Sequence, residues 1–78
     1  MSPKIGEVDG IEISIKSSDH GNPHIHAWYQ GEKVKIFIET LDIESGGFPP
    51  QQLRKLMKWI QNNQEYLLDQ WDEIVNSP

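Results

Sequence analysis

The spacing of hydrophobic residues changes once along the chain, at the segment from Gly46 to Pro50. Before this segment, hydrophobic and polar residues alternate with a period of two, as in a strand with one buried face. After it, hydrophobic residues recur every three or four positions, as in an amphipathic helix. We therefore predict an α+β fold in which an N-terminal antiparallel sheet is followed by C-terminal helices.

The alternating half of the chain predicts three strands, over residues 11–16, 24–30 and 33–40. Residues 41–44 continue the alternation and predict either a short fourth strand or a bent extension of the third. The segment 17–23 consists of turn-forming residues and predicts a loop. Because only Gly31-Glu32 separates the second and third strands, these two are predicted to form an antiparallel hairpin.

The second half predicts helices over residues 50–61 and 63–75. Pro50 suits a first helical turn, where its missing N–H has no partner to lose. The hydrophobic positions keep their phase across Asn62-Asn63, so one long helix is an alternative. Asn62 followed by Glu65 matches a capping box, which favours two helices.

These elements predict a two-layer sandwich, in which a three- to four-stranded antiparallel sheet has one face covered by a C-terminal helix or helical hairpin. A chain of 78 residues is too short for two separate cores, so residues 1–78 are expected to form a single domain. The predicted core comprises Ile11, Ile13, Ile15, Ile25, Ala27, Val34, Ile36, Ile38, Leu53, Leu56, Met57, Ile60, Leu67 and Trp71.

Composition narrows the classes of function. The chain has no cysteine, which excludes disulfides and thiolate metal sites. Seven Lys and Arg against 12 Asp and Glu give a net charge of −5, which argues against non-specific nucleic-acid binding. We therefore predict no DNA partner. Binding of RNA would require a local patch of basic residues. No hydrophobic run is long enough for a membrane span or a signal segment. We predict a cytoplasmic protein without a membrane partner.

All three histidines lie within one short segment that begins at Asp19 and ends at His26. His24 and His26 are two positions apart on a predicted strand, so both side chains project from the same face. That face is the outer one if Ile25 faces the core. Asp19 and His20, in the preceding loop, are close enough in sequence to reach the same place.

The predicted outer face also carries Trp28 from the second strand and Lys33, Lys35 and Phe37 from the third. Three functions fit such a face, and the residues alone leave all three open. The first is a metal site, with zinc as the ion, in which His24, His26 and either Asp19 or His20 supply three ligands.

The second is cleavage of RNA without a metal. In this hypothesis His24 and His26 are the catalytic acid and base, and Lys35 or Lys33 stabilises the charge that develops on the phosphate.

The third function, which we favour at this point, is a contact surface. Trp28 and Phe37 exposed together would form a hydrophobic patch, with Lys33 and the histidines as its polar rim. The expected partner is a small protein or a second copy of the chain.

Several motifs resemble those of a small bacterial family, "domain of unknown function 4160". They are the string from Ser18 to Ala27, the Gly-Phe-Pro-Pro segment, Trp59-Ile60, and Leu67-Leu68 followed by Trp71. The resemblance extends from about Gly10 to Trp71. It implies that Trp59 and Trp71 are core residues and that the signature residues are Asp19, His20, Pro23, His24 and His26. Asn22 stands where the family commonly has a proline.

The resemblance implies no established activity. Members of this family are often encoded beside another small domain, which implies a protein partner, as in a toxin-antitoxin pair. A histidine-dependent toxin that cleaves RNA is the alternative.

Overall fold

The computed structural model describes residues 4–76 and contains an antiparallel sheet followed by two α-helices and a short π-helix. The sheet has five strands, which lie side by side in chain order. They are β1 (Lys4–Val8), β2 (Ile11–Ser14), β3 (His24–Tyr29), β4 (Glu32–Phe37) and β5 (Ile43–Gly46). The predicted α+β class is confirmed, but the sheet has five strands instead of three or four.

The unpredicted strand is β1. It pairs with β2 through a two-residue turn at Asp9-Gly10, whose φ angles of +46° and +81° are typical of the tight turns that join antiparallel strands. The register shifts between Lys4 and Gly6, so hydrophobic residues do not alternate along β1. A Cβ atom on Gly6 would lie 2.7 Å from the ring of Trp59, so glycine allows this contact between sheet and helix.

The hairpin between β3 and β4 is confirmed, with its turn at Gln30-Gly31, one residue earlier than predicted. β4 ends at Phe37 because the chain turns there: the backbone N–H of Leu41 donates to the carbonyl of Phe37 at 3.0 Å, and Leu41 has a φ of +65°. The last strand therefore covers residues 43–46 instead of the predicted 41–44.

Two helices, α1 (Pro50–Asn62) and α2 (Gln64–Trp71), follow the sheet, and the π-helix Asp72–Asn76 extends α2. The break is at Asn63, but the predicted capping box is absent from it. The side chain of Asn63 instead donates to the carbonyl of Trp59 at 2.8 Å, which satisfies the end of α1 and leaves α2 without a side-chain cap.

The hydrophobic core lies between the helices and one face of the sheet. All predicted core residues are buried except Leu53 and Met57, which are half-buried, and Phe48 joins the core without having been predicted. Side chains of α2 also bond to the sheet half: Tyr66 Oη donates to the carbonyl of Ile5 in β1 at 2.8 Å, and Gln64 Nε2 donates to the carbonyl of Ile38, directly after β4, at 2.9 Å. Within residues 4–76, no helix has the length and hydrophobicity needed to cross a bilayer.

Candidate functional site

The alternation of β3 decides which side chains face away from the core. Ile25 and Ala27 are fully buried against the helices, and Trp28 is 36% exposed on the opposite face. His24 shares the face of Trp28, yet it is only 5% exposed. Its ring is enclosed by Trp71, at the end of α2, with a centroid separation of 5.0 Å, by Phe37 at 6.2 Å, and by the carboxylate of Asp19. The predicted orientation of β3 is confirmed, and one end of its outer face is covered.

The loop before β3 folds Asp19 back onto this face. The backbone N–H of Asp19 donates to the carbonyl of Lys16 at 3.0 Å, and Asp19 Oδ2 accepts the backbone N–H of Lys16 at 3.2 Å. These reciprocal bonds fix the carboxylate beside the strand.

Three potential ligand atoms meet at this point. Asp19 Oδ2 lies 2.9 Å from His26 Nε2 and 3.4 Å from His24 Nε2. All three atoms lie within 4.8 Å of one another. Each residue is well enclosed, with side-chain exposures between 7% and 13%. We call Asp19, His24 and His26 the Asp-His-His cluster.

The hydrogen bonding of His24 is incomplete. Its Nδ1 donates to the carbonyl of Asn22 at 2.8 Å, which places the proton of the neutral ring on Nδ1 and a lone pair on Nε2. Nε2 is buried and has no hydrogen-bond partner among the described residues. Leaving a buried acceptor unsatisfied costs about 1–3 kcal/mol. Ser14 Oγ and Gln52 Oε1 are also buried without a partner, but His24 Nε2 differs from them because it lies 3.4 Å from the carboxylate of Asp19.

The environment of the cluster shifts two pKa values. Burial lowers the pKa of His26 and outweighs the hydrogen bond and negative charge of Asp19, which raise it. Burial raises the pKa of Asp19, but the hydrogen bond and charge of His26 and the backbone N–H of Lys16 lower it by more, so it lies below its usual value. Near pH 7 the cluster therefore combines an ionised carboxylate with a neutral imidazole at position 26.

These shifts predict a pH dependence for the metal-free protein. Both groups bind protons more weakly in the native state than in the unfolded chain, so the free energy of unfolding should fall as the pH falls. The free energy of unfolding should begin to fall near pH 6.5, the ordinary pKa of histidine, because His26 in the unfolded chain takes up a proton there. Urea unfolding in the presence of EDTA, between about pH 7.5 and pH 5.5, measures this dependence.

Substitution of His26 separates its contribution from that of other groups. His26→Gln should flatten the dependence over this range, because it removes the imidazole whose pKa burial lowers. A His26→Gln protein with the same pH dependence as the parent would contradict the direction assigned to His26.

His20 is not part of the cluster. It lies on the rim of a groove of about 360 Å³, which is also lined by Asp19, His24, Lys35 and Phe37. The sequence left open whether Asp19 or His20 joins the two strand histidines, and the structure brings Asp19 to them.

A second groove, of about 340 Å³, lies beside the cluster, and we call it the lysine groove. It is lined by Lys16, His26, Trp28, Lys33, Val34, Lys35, Ser45 and Gly46. Lys35 borders both grooves. Lys16 was not among the predicted site residues, although continuing the alternation of β2 two residues beyond Ser14 places it on the outer face.

Phe37 contributes less to the outer surface than the sequence suggested. It is half-buried, and its ring lies edge-on to that of His24 with a centroid separation of 6.2 Å. Of the two aromatic residues expected to form a contact surface together, Trp28 is therefore the one that is exposed.

The comparisons with known proteins give a family and no activity. The family model described as "Domain of unknown function (DUF4160)" matches residues 10–72. This range includes the Asp-His-His cluster and every residue of the lysine groove, and it leaves β1 outside. Neither the curated proteins nor the solved structures compared with the chain include a significant match.

Proposed function

The chain belongs to the family named "Domain of unknown function (DUF4160)", and we propose that it binds a divalent transition-metal ion, with zinc as the ion, through the Asp-His-His cluster. The observation that carries this proposal is the buried Nε2 of His24, which has no hydrogen-bond partner among the described residues and lies 3.4 Å from Asp19 Oδ2. A metal ion would satisfy this lone pair.

The donor spacing supports the proposal. Zinc binds histidine nitrogen and carboxylate oxygen at about 2.0–2.2 Å, so tetrahedral ligand atoms lie roughly 3.3 Å apart. The separations of 2.9 and 3.4 Å between Asp19 Oδ2 and the two imidazole nitrogens are close to this value. Two imidazole ligands favour zinc and other first-row transition-metal ions over magnesium and calcium, which prefer oxygen ligands.

The surroundings of the ligands also support it. A metal-binding histidine normally donates its other ring N–H to a carbonyl or carboxylate, and His24 Nδ1 donates to the carbonyl of Asn22 in this way. Asp19 Oδ2 is likewise held by the backbone N–H of Lys16. For His26, metal binding requires the ring proton to move from Nε2 to Nδ1, because Nε2 now bonds to Asp19.

The number of protein ligands suggests the type of site. Structural zinc sites have four protein ligands, whereas catalytic sites have three and keep one position for water or substrate. The cluster offers three ligands and borders two grooves. We therefore assign it to the open type, in which a bound zinc ion would supply a Lewis acid and an activated water.

Isothermal titration with zinc tests the proposal. Asp19→Asn, His24→Gln and His26→Gln should each weaken zinc binding at least tenfold, since the loss of even an outer-shell partner typically costs 10- to 100-fold. His20→Ala is the matched control, because it removes the one histidine outside the cluster. It should leave the dissociation constant unchanged.

Two results would refute the proposal: a parent protein that gives no zinc-binding heat, or an Asp19→Asn variant that binds zinc as tightly as the parent. Circular dichroism of each variant shows whether it is folded. Asp19→Asn is the most conservative of the three substitutions, because it keeps the size of the side chain and replaces the charged carboxylate by a neutral amide with one acceptor oxygen and one NH2 donor.

The other functions expected from the sequence stay predictions. These are a protein partner of the toxin-antitoxin type, self-association, metal-independent cleavage of RNA by His24 and His26 with Lys35, and a cytoplasmic location.

A further inference from the structure

The lysine groove differs in charge from the rest of the molecule. The chain has a net charge of −5 and seven Lys and Arg residues, yet Lys16, Lys33 and Lys35 all line this one groove. No acidic side chain is among the described residues that line it. A concentration of positive charge in a concave surface of an acidic protein favours an anionic ligand.

Two of the three lysines are available for such a ligand. Lys35 Nζ lies 3.5 Å from Glu44, but within residues 4–76 neither Lys16 nor Lys33 forms an ion pair. Glu12, the acidic residue paired with Trp28 across the sheet, has its own cation in Lys4 at 3.7 Å. Glu12 and Glu44 therefore have other lysines as their ion-pair partners.

Trp28 adds an aromatic surface to the groove. Its indole is 36% exposed, and its ring is nearly parallel to that of His26, with a centroid separation of 6.4 Å. Lys16 Nζ lies 5.9 Å from the centroid of the Trp28 ring. An exposed indole next to lysine ammonium groups is the combination with which proteins stack a nucleobase and hold the attached phosphate.

The size of the groove limits the ligand. A volume of about 340 Å³ is at the small end of the range for small-molecule sites, which extends from about 300 to 1,000 Å³. One nucleotide unit fits this range. Gly46 lines the β5 side of the groove, where glycine is required because a Cβ atom would collide with the backbone carbonyl of Lys33 and because its φ is +78°.

We propose that the lysine groove binds a nucleotide unit, with its base on Trp28 and its phosphate between Lys16 and Lys33. The nucleotide is either free or part of a single strand. This inference does not depend on metal binding, because none of the three groups that hold the nucleotide belongs to the Asp-His-His cluster.

The test is a titration of the full chain with AMP, inorganic phosphate and the oligonucleotide (rA)5, at low salt and in the presence of EDTA, followed by isothermal calorimetry. EDTA excludes metal ions, so the outcome is separate from that of the zinc experiment. AMP should bind more tightly than phosphate. If (rA)5 binds more tightly than AMP, the nucleotide is taken from a single strand, and if AMP binds as tightly, a free nucleotide suffices.

Variants test which side chains bind the phosphate of the nucleotide and which side chain binds its base. The double variant Lys16→Gln, Lys33→Gln should weaken both AMP and phosphate about tenfold. Trp28→Ala should weaken AMP by a similar factor, as expected for the loss of one stacked base, and leave phosphate unchanged. Lys58→Gln is the matched control, since Lys58 is exposed on α1 and lies outside the groove, and it should bind all ligands as the parent does.

Two results would overturn the proposal. One is that neither AMP nor (rA)5 binds. The other is that Lys58→Gln weakens binding as much as the groove variants do, which would show attraction by general charge alone. All the substituted side chains are on the surface or half-buried, and circular dichroism verifies that the variants are folded.

Discussion

Replacing Trp71 with alanine should lower the free energy of unfolding by about 3–5 kcal/mol, the usual effect of removing a buried tryptophan. Trp71 is 3% exposed and belongs to the hydrophobic core, and its ring also covers His24 at a centroid distance of 5.0 Å. The substitution would thus leave a cavity in the core and open one end of the Asp-His-His cluster to water.

Urea unfolding followed by far-UV circular dichroism measures this effect without relying on tryptophan fluorescence. A domain of this size usually has only about 3–5 kcal/mol of stability, so Trp71→Ala should be largely unfolded. Trp71→Phe keeps an aromatic ring and should remain measurable, with a smaller loss.

Trp28→Ala is the matched control, because it removes the same side chain from the exposed part of the outer face. Its effect should be clearly smaller than that of Trp71→Ala, because Trp28 is 36% exposed and its ring contacts His26 and Lys16 instead of the core. Equal losses in Trp71→Ala and Trp28→Ala would contradict the burial of Trp71 and its role as a cover for His24.

The orientation of the central strands could be predicted because one face of each is buried. A shift of one residue would turn Ile25 and Ala27 to the surface, so the alternation of hydrophobic residues determines which face His26 and Trp28 occupy. The outer strands lack this signal. All residues of β5 are exposed, so no buried face fixes its bounds, and the strand predicted at 41–44 lies two residues too early. In β1 the register shift interrupts the alternation, so this strand was not predicted.

The candidate site could be predicted only in part. Alternation places His24 and His26 on one face, but the choice of Asp19 over His20 depends on the bonds between Asp19 and Lys16 in an irregular loop. Likewise, His24 is buried because Trp71 contacts it from another element, and no local pattern specifies that contact. Tertiary contacts of this kind also make the Nε2 of His24 an unsatisfied buried atom.

Zinc should stabilise the fold, because a ligand that binds only the native state raises the free energy of unfolding. At a free zinc concentration of about 100 times the dissociation constant, the increase should be about 2.7 kcal/mol. For a domain of this size, each kcal/mol raises Tm by about 4–8 °C, so the total increase should be roughly 10–20 °C. Thermal unfolding with and without zinc measures it, and EDTA should reverse it.

Variants show whether the increase in Tm comes from zinc bound at the Asp-His-His cluster. At the same zinc concentration, binding that is at least tenfold weaker should leave Asp19→Asn with at most about half of the parent's increase in Tm, whereas His20→Ala should retain the full increase, because Asp19 and not His20 shares the ligand centre with His24 and His26. Magnesium should have no effect on the parent, since two imidazoles are poor ligands for it. An equal shift in Asp19→Asn and in the parent would mean that zinc binds elsewhere, because the loss of a charged ligand must weaken binding at this cluster.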